Sequence, residues 1–427
     1  MILKKILLKN FRNYSGQEII FNDKFNFIYG NNGHGKTNIL EAVSFTTFGK
    51  SFLGAAEADC VKFGEKEFFI ESDFLNDLDN EDRLVINYNS ETRSKSISRN
   101  KEKVSSFSSE IFGRYPIVFL SPHSLNITYG NPSDRRKFFD ILISQSSRLY
   151  LDYLKELAKI LRQKNALLKN YTVFKKYSRS QFEDLVQSYN EKLITVSANI
   201  IFKRLNFLKE FDSYFRNNFS MLTVEEHEGS ISYNSDATGE TDPLKSQIDF
   251  DEISRKMKTA IDNRLNDEIK RSVSLCGPQR DDYIFRLKKP DPEKDDMSKG
   301  FDLKNFASQG EHKTFLVALK LSEFDILKDK KGTNPVLLLD DVLSELDQSR
   351  VSKIISHLKE YGQIFLTTTD RSYLDNLGEF YDEKRYRYLR LKKERYWIEL
   401  ILPPISRGGF GRGKVKNDII ASKSQRL

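Results

Sequence analysis

The sequence predicts an α/β fold in which a mainly helical lobe interrupts a domain built from a mixed sheet and helices. Three observations lead to this prediction. Strand-like segments and turns surround one helix up to about Phe119, apolar residues recur at helical spacing from Arg135, and strands alternate with helices after Gly300. Because alternating strands and helices form parallel sheets with covered faces, the first and last parts are expected to build one domain.

The first 120 residues contain most of the predicted strands. Strands are expected at Ile2–Lys9, Ile19–Phe27, Phe68–Ile70, Leu84–Tyr88 and Ile117–Leu120. The residues Asn31–Gly35 form a cluster typical of a turn, and Lys36–Phe45 follows with the spacing of a helix. The predicted order near the N-terminus is therefore strand, glycine-rich turn and helix.

The middle of the chain changes to helical spacing. Arg135–Asn170 and Leu185–Phe215 are predicted to be helical, whereas Glu225–Thr241 and Pro290–Gly300 are predicted to be loops. The helices are expected to be amphipathic core helices of ordinary length, with an antiparallel helical arm as the alternative.

The last part returns to alternating elements. The predicted helices are Phe306–Lys328 and Val351–Tyr361, and the predicted strands are Pro335–Leu339 and Gln363–Thr367. The expected domains are a sheet-containing lobe in two halves at 1–120 and 301–402, a helical lobe at 121–300, and a tail at 403–427. This basic, glycine-containing tail is predicted to be disordered, with weak contact to nucleic acid as an alternative.

Composition restricts the class of protein. A hydrophobic content of 38% excludes wholesale disorder, and a net charge of +8 favours a polyanionic partner over a neutral one. The two cysteines, Cys60 and Cys276, form no CxxC pair, so buried thiols are expected in place of a disulfide framework or a zinc site. The charged N-terminus and the absence of a long apolar run predict a cytoplasmic protein without membrane spans.

The pattern GxxxxGK[ST] predicts a binding loop for the phosphates of ATP. Backbone N–H groups and a helix N-terminus can surround a polyphosphate where glycines leave room for it. Lys36 is expected to reach the β- and γ-phosphates, Thr37 to bind Mg²⁺, and His34 to act as a spacer. The eight residues of the loop are Gly30, Asn31, Asn32, Gly33, His34, Gly35, Lys36 and Thr37.

Two carboxylates follow the apolar run Val336–Leu339. A buried strand can deliver such groups to the carboxyl edge of a parallel sheet, where ligands bind. We expect Asp340 to hold Mg²⁺ and Asp341 to polarise the water that attacks ATP. A turn or helix cap is the alternative explanation of these residues, and the phosphate loop favours the catalytic one.

These motifs together resemble the head of an ABC-type ATPase. By residue chemistry alone, Ser308 is an N-cap before a helix. The resemblance implies more: a signature loop with Ser308, Gly310 and Glu311 that acts on the nucleotide of a second head, and a D-loop at Ser344–Asp347. It also implies that Thr369 replaces the usual switch histidine and that Ser121–Ser124 occupies the region of the Q-loop.

Within that superfamily the sequence closely resembles the RecF family of bacterial recombination mediators. Gln279 departs from the histidine usual in that family. The resemblance implies nucleotide-binding roles for Arg12 and Asn13, and a slow, DNA-dependent ATPase that dimerises on ATP. It further implies binding of gapped duplex DNA and loading of RecA with RecO and RecR. The matching stretches are Asn10–Tyr14, Gly30–Glu41, Lys50–Phe52, Arg162–Leu168, Cys276–Asp282, Ser308–Thr314, Leu337–Asp347 and Thr367–Asp370.

Other functions remain as alternatives. An SMC/Rad50-like DNA-processing ATPase would need very long coiled coils, and a transporter subunit would have an ATPase that ignores DNA. A nucleotide-sensing scaffold would bind ATP without turnover. No base-reading motif is present, so DNA recognition is expected to depend on backbone and shape. The pattern leaves open whether Arg280 pairs with Asp281 or Asp282, or meets a phosphate.

Overall fold

The computed structural model describes residues 1–223, 227–247, 249–288, 300–342, 358, 361–369, 386–392 and 397–401. Most of the predicted helix Val351–Tyr361, the D-loop Ser344–Asp347, most of the loop Pro290–Gly300 and the tail 403–427 lie outside these residues. Among the described helices, none combines the length and the apolar character needed to cross a membrane.

The N-terminal part contains eight strands and two helices. The strands are β1 (Ile2–Phe11), β2 (Tyr14–Ile20), β3 (Phe25–Tyr29), β4 (Glu67–Leu75), β5 (Glu81–Asn89), β6 (Ser94–Arg99), β7 (Glu102–Lys103) and β8 (Ile117–Leu120). The helices are α1 (Lys36–Phe48) and α2 (Phe107–Glu110). Six of the strands form an antiparallel sheet in the order β2-β1-β4-β5-β6-β7.

The middle part is dominated by helices. These are α3 (Asn126–Tyr129), α4 (Pro132–Ser146), α5 (Arg148–Thr172), α6 (Arg179–Leu222) and α7 (Phe250–Arg271). A small sheet in the order β10-β9-β11-β12 packs with them. Its strands are β9 (Glu228–Ser235), β10 (Gly239–Thr241), β11 (Asp282–Lys288) and β12 (Phe301–Asp302).

The central sheet joins the two ends of the chain. The last elements are α8 (Leu303–Phe306), α9 (Gln309–Lys331), β13 (Val336–Asp340), β14 (Ile364–Thr368), β15 (Tyr386–Lys392) and β16 (Trp397–Ile401). The described strands of this sheet have the order β16-β15-β3-β14-β13-β8, in which β15 and β16 are antiparallel and the other neighbours are parallel. Strands β3, β13 and β14 are buried throughout, as their apolar sequences require in a sheet covered on both faces. The predicted mixed sheet of the fold class is confirmed, whereas the domain limits at 120, 300 and 402 stay predictions.

Several element predictions were wrong in extent. The predicted strand Ile19–Phe27 is interrupted by a turn, because the buried Asn26 side chain accepts a hydrogen bond from the Asn22 amide (2.7 Å) and donates one to its carbonyl (2.8 Å). The stretch Arg135–Asn170 is two helices, since Ser147 has an extended conformation and caps α5. Similarly, α9 starts after its own cap at Ser308 and not at Phe306.

The predicted loop Glu225–Thr241 contains a β-hairpin. Strand β9 pairs with β11 from Glu228 to Asn234, and Ile231 and Tyr233 lie in the core. The polar and glycine residues that suggested a loop occupy the remaining positions, which illustrates how pairing with a distant strand overrides local propensity.

Helix α6 is longer than expected. Its 44 residues span about 66 Å at ~1.5 Å per residue, so the prediction of helices of ordinary length was wrong here. From Leu193 onward α6 belongs to the large core, as a core helix should. Its first turns instead pack Phe182 and Val186 against Leu167 and Leu168 of α5 in a small separate cluster. One part of α6 is therefore a core helix, and its first part forms an antiparallel hairpin with α5.

Candidate nucleotide-binding site

The phosphate loop connects the carboxyl end of β3 to the N-terminus of α1. Gly33 and Gly35 have φ values of 78° and 93°, which glycine adopts without strain. A Cβ atom at Gly35 would clash with the Asn13 side chain, so a larger residue would displace Asn13 and also strain the backbone. Because Gly35 is the N-cap of α1 and has no side chain, the first amides of this helix point to the loop without a side-chain cap.

The Lys36 side chain is folded back over the loop. Its ammonium donates hydrogen bonds to the carbonyl oxygens of Gly30 (2.7 Å) and Asn31 (3.1 Å). Burial lowers the pKa of Lys36, although the carboxylates of Asp340 and Asp341 act in the opposite direction. A buried cation that is held only by carbonyl oxygens is well suited to exchange them for phosphate oxygens.

The hairpin between β1 and β2 supports the loop from outside. The Asn13 amide donates to the carbonyl of His34 (3.3 Å), and its oxygen accepts from Asn38 of α1 (2.8 Å). The Tyr14 hydroxyl donates to the carbonyl of Gly35 (3.1 Å). Asn13 therefore lies at the loop, where the resemblance predicted a nucleotide contact, but its present bonds fix the loop's shape.

Arg12, from the same hairpin, forms a bidentate ion pair with Glu41. Its guanidinium donates to the two carboxylate oxygens at 2.7 and 2.6 Å and to the Asp59 carbonyl at 2.8 Å. Glu41 is fully buried in α1 and also accepts a hydrogen bond from Ser51. The hydrogen bond to Glu41 raises the pKa of Arg12. The nucleotide-binding role of Arg12 stays a prediction, and its structural role is to anchor α1.

Asp340 joins the acidic strand to the phosphate loop. Its carboxylate accepts hydrogen bonds from the hydroxyl groups of Thr37 (3.0 Å) and Thr367 (2.6 Å). Burial raises the pKa of Asp340, with a further contribution from Asp341, while the two threonines and Lys36 oppose it. A cation bound at this strand end would offset the cost of burying the Asp340 carboxylate.

The donor set at this point fits Mg²⁺. A hydroxyl group and a carboxylate are hard oxygen ligands, and they lie within hydrogen-bond distance of each other. If Mg²⁺ is bound, Thr37 and Asp340 would hold it beside the phosphates and it would neutralise their charge. The remaining ligands would come from phosphate and water, as is usual for Mg²⁺.

Asp341 follows directly in a left-handed conformation, with φ of 50°. Its backbone N–H donates to the Thr367 carbonyl (3.2 Å) and to the Thr367 hydroxyl (3.0 Å). Aspartate tolerates this region better than most residues, and such strained positions cluster at functional sites. Thr367 thus orients both acidic residues, and sequence reasoning did not assign it this role. The role of Thr367 becomes visible only in the tertiary structure, where Thr367 lies opposite Asp340 in the parallel register of β13 and β14.

The remaining predicted residues lie on neighbouring elements. Thr369 follows β14 and is exposed, at the same sheet edge as Asp340. Ser121–Ser124 follows β8, the parallel neighbour of β13, and Ser121 forms a capping box with Ser124. His34 contacts the Leu391 carbonyl through its ring (2.9 Å), which agrees with a structural spacer in the loop.

The signature residues occupy the start of α9. The Ser308 amide donates to the Glu311 carboxylate (2.7 Å) and the Glu311 amide to the Ser308 hydroxyl (3.3 Å), so the two side chains form a capping box. Gly310 lies in the first turn. The next residue after Glu311, His312, is buried and stacks on Tyr129 of α3, with ring centroids 3.6 Å apart. Sequence reasoning missed His312, which anchors this helix start to α3 and whose pKa is lowered by burial.

The segment Cys276–Asp282 is fixed by a buried polar network. Arg204 donates to the Asp140 carboxylate (2.8 Å) and to the Pro278 carbonyl (2.9 Å), and it lies 3.6 Å from Asp281. Asp282 pairs with Arg135 (2.8 Å). Arg280 is exposed and donates to the Ser274 carbonyl, so of the two alternatives left open for it the structure does not show the pairing with Asp281 or Asp282. Both cysteines are buried free thiols, as predicted.

Comparisons with known proteins place this site in a family. Residues 2–387 match the model of the RecF/RecN/SMC N-terminal domain. The DNA replication and repair protein RecF of Chloroherpeton thalassium is 32% identical over 373 residues, which cover 87% of this chain and 95% of that protein. The RecF protein of Prosthecochloris aestuarii is 34% identical over 389 residues, covering 89% and 96%. The chain belongs to the RecF family.

Solved structures agree with this assignment. A structure of the recombination mediator protein RecF with ATP in the RecFOR pathway has a TM-score of 0.78, 30% identity, and coverage of 93% of this chain and 99% of that one. An Smc head domain from Pyrococcus furiosus has a TM-score of 0.53 at 16% identity, which shows the fold alone. The fold of this chain is therefore similar to that of the Smc head domain.

Proposed function

We propose that this chain is an ATP-dependent DNA-binding recombination mediator. It binds ATP and Mg²⁺ at the phosphate loop, dimerises in the ATP state and holds the junction between duplex and single-stranded DNA. With RecO and RecR it promotes the loading of RecA in gap repair and replication restart, in the cytoplasm. The observation that carries the proposal is the hydrogen bond from Thr37 to Asp340, which unites the phosphate loop and the acidic strand in one site.

The nucleotide part of the proposal rests on the geometry of the loop. Lys36 and the N-terminus of α1 face the same space and can bind phosphates, while Thr37 and Asp340 provide the metal ligands. Asp341 would accept or orient the proton of the attacking water. These groups support a weak ATPase, stimulated by DNA, in which hydrolysis times release.

The position of the signature residues supports the proposed dimer. Ser308 and Gly310 lie at the exposed start of α9, on an element separate from the phosphate loop. The N-terminus of a helix attracts anions, so this helix can contribute to the phosphate site of a second copy. ATP between two heads would then hold the dimer together.

The DNA part of the proposal rests on the relatives and on charge. The related proteins are DNA replication and repair proteins, and one related structure is a mediator in the RecFOR pathway. A net charge of +8 favours DNA through phosphate contacts and counterion release. An SMC/Rad50-like role in DNA processing is the alternative.

Binding to gapped duplex DNA with and without ATP tests this function. Wild-type protein, Lys36→Ala and the charge-matched control Lys103→Ala are compared by fluorescence anisotropy. Lys103 is exposed on β7, remote from the loop in sequence. We expect tight ATP-dependent binding for the wild type and the control, and its loss for Lys36→Ala. Binding that ignores ATP in all three proteins would refute the proposal.

The role of Asp341 has a separate test. Asp341→Asn is expected to bind ATP normally, to hydrolyse it at least ~100-fold more slowly and to accumulate as dimers on DNA, because only water activation is lost. Sedimentation of the ATP complex with DNA measures the dimer. Monomers in ATP would contradict the role assigned to the nucleotide.

A further inference from the structure

The end of the α5–α6 hairpin concentrates positive charge. Residues 157–182 contain seven lysines and arginines and no acidic residue. One of the seven, Lys164, is buried and lies 2.6 Å from Glu268 of α7, so it has a structural partner. The other six cations are exposed: Lys159, Arg162, Lys169, Lys175, Lys176 and Arg179.

A third helix adds to the same end. The Thr172 and Ser272 hydroxyl groups lie 2.6 Å apart, which brings the C-terminus of α7 beside the end of α5. Leu265 and Ile269 of α7 complete the small apolar cluster beneath. Arg271, the last residue of α7, is exposed here. We call this surface the hairpin tip; it comprises residues 169–180 and 270–272.

The tip also exposes an aromatic ring. Phe174 is 63% exposed and Val173 is 59% exposed, in the loop between the helices. The Lys169 ammonium lies 6.0 Å from the centre of the Phe174 ring. Tyr171 stacks on the buried Phe182 at 3.9 Å, so the loop has a rigid aromatic base. The exposed Phe174 ring is therefore available to a ligand and lies beside cations.

Several cations of the tip differ from those on ordinary solvated helix faces. On α7, Lys256 pairs with Glu252 (2.6 Å) four residues away, as is usual for a surface helix. Within the described residues, Lys175, Lys176 and Arg271 have no ion pair or hydrogen bond of their side chains. Arg179 pairs with Glu183, and Lys270 with Asp267. Unpaired cations at a surface are available to a polyanion.

We propose that the hairpin tip binds a single-stranded segment of DNA, with Phe174 stacked on an unpaired base and Lys175 and Lys176 on phosphates. This inference rests on the proposed DNA-binding function and assigns one of its contact sites. Aromatic rings flanked by cations are the usual platform for single strands, because every base offers a π-face. A continuous duplex keeps its bases stacked and would leave Phe174 without a partner.

The test uses the full-length chain with ATP and two DNAs of equal length, one continuous duplex and one with a gap containing 2-aminopurine. Phe174→Ala is expected to weaken binding to gapped DNA by about 5- to 100-fold and to abolish quenching of 2-aminopurine. Phe174→Trp should retain both, since it preserves the stacking face. Binding to the continuous duplex should change less than about twofold in either variant, because no unpaired base is offered there.

A second pair of variants tests the binding of phosphates. Lys175→Gln/Lys176→Gln is expected to reduce the salt dependence of binding to gapped DNA by about 0.7 in log–log slope for each phosphate that the protein no longer neutralises. Lys103→Gln/Lys209→Gln removes the same charge from exposed positions of β7 and α6 and should leave the slope unchanged.

The outcomes separate the two proposals. If the wild type binds gapped DNA and Lys36→Ala does not, but all tip variants bind like the wild type, the tip inference is overturned and the proposed function stands. Equal losses on gapped and continuous DNA would also overturn it, because the tip would then bind duplex. Unchanged DNA binding with weakened binding of a partner protein would overturn it as well and assign the tip to protein recognition. If the wild type fails to bind DNA, the proposed function itself fails.

Discussion

Replacing Arg12 by alanine tests whether this residue stabilises the fold or serves only the nucleotide. In the structure, the Arg12 guanidinium makes two hydrogen bonds to Glu41, whose side chain is fully buried, and one to the Asp59 carbonyl. Removing one partner of a buried ion pair leaves an uncompensated charge, which costs about 3–5 kcal/mol. Arg12 itself remains 21% exposed, and Ser51 still donates to Glu41, so we expect the lower end, about 3 kcal/mol.

Urea unfolding of the protein without nucleotide measures this effect. Arg83→Ala is the matched control, because Arg83 makes a similar bidentate pair with Asp73 at 2.7 and 3.2 Å but is 48% exposed. An exposed pair contributes less than about 1 kcal/mol, so this variant should unfold nearly as the wild type does. The double variant Arg12→Met/Glu41→Leu should recover most of the stability, since it leaves no buried charge.

An unfolding free energy of Arg12→Ala within about 0.5 kcal/mol of the wild-type value, a difference typical of surface substitutions, would refute this reasoning. In that case a fall in ATP affinity would assign Arg12 to the nucleotide, as the family resemblance implies. A loss of stability together with unchanged ATP affinity in the folded variant would assign it to the anchoring of α1.

Three further predictions concern other buried polar groups. Thr367→Val removes the hydroxyl that donates to Asp340 and should lower the apparent Mg²⁺ affinity in ATP hydrolysis by about 10- to 100-fold. A Mg²⁺ titration of ATPase activity identical to that of the wild type would contradict this. Burial raises the pKa of Asp281 to about 7, against the pull of Arg204. Because the folded-state pKa is raised, the wild type loses stability as the pH rises from about 4 to about 7. Asp281→Asn cannot ionise, so its stability relative to the wild type should increase between about pH 5 and pH 8, as measured by urea midpoints at the two pH values. An equal difference in urea midpoint between variant and wild type at about pH 5 and pH 8 would contradict the raised pKa of Asp281. Lys164→Met should cost about 3–5 kcal/mol by leaving Glu268 buried without its cation, and adding Glu268→Gln should restore part of it in the same assay.

The N-terminal motif could be predicted from local chemistry. The glycines, Lys36 and Thr37 are contiguous, so their spacing alone determines a loop that can surround phosphates and its place before α1. The apolar run before Asp340 likewise indicated a buried strand, because continuous apolar sequence is the mark of a central parallel strand.

Local pattern failed where distant segments decide the structure. The local sequence of β9 predicts a loop, because the strand is stabilised by pairing with β11, which begins 47 residues after Ser235. The length of α6 was underestimated because two different environments, the large core and the small hairpin cluster, bury its two parts. Burial patterns that change along one helix blur the single amphipathic stripe on which sequence reasoning depends.

The sequence by itself therefore determined the local elements of the candidate nucleotide site: a glycine-rich loop before a helix, two carboxylates at a strand end and a helix start with a serine cap. Only the tertiary structure decided how these groups meet. Thr367 orients Asp340 and Asp341 because β13 and β14 are parallel neighbours in register, and Arg12 holds Glu41 because a hairpin lies against α1. The physical reason is that the covalent backbone and the local conformation fix the relative positions of contiguous residues. Contacts between remote residues form only when the sheet and its packing bring the strands together.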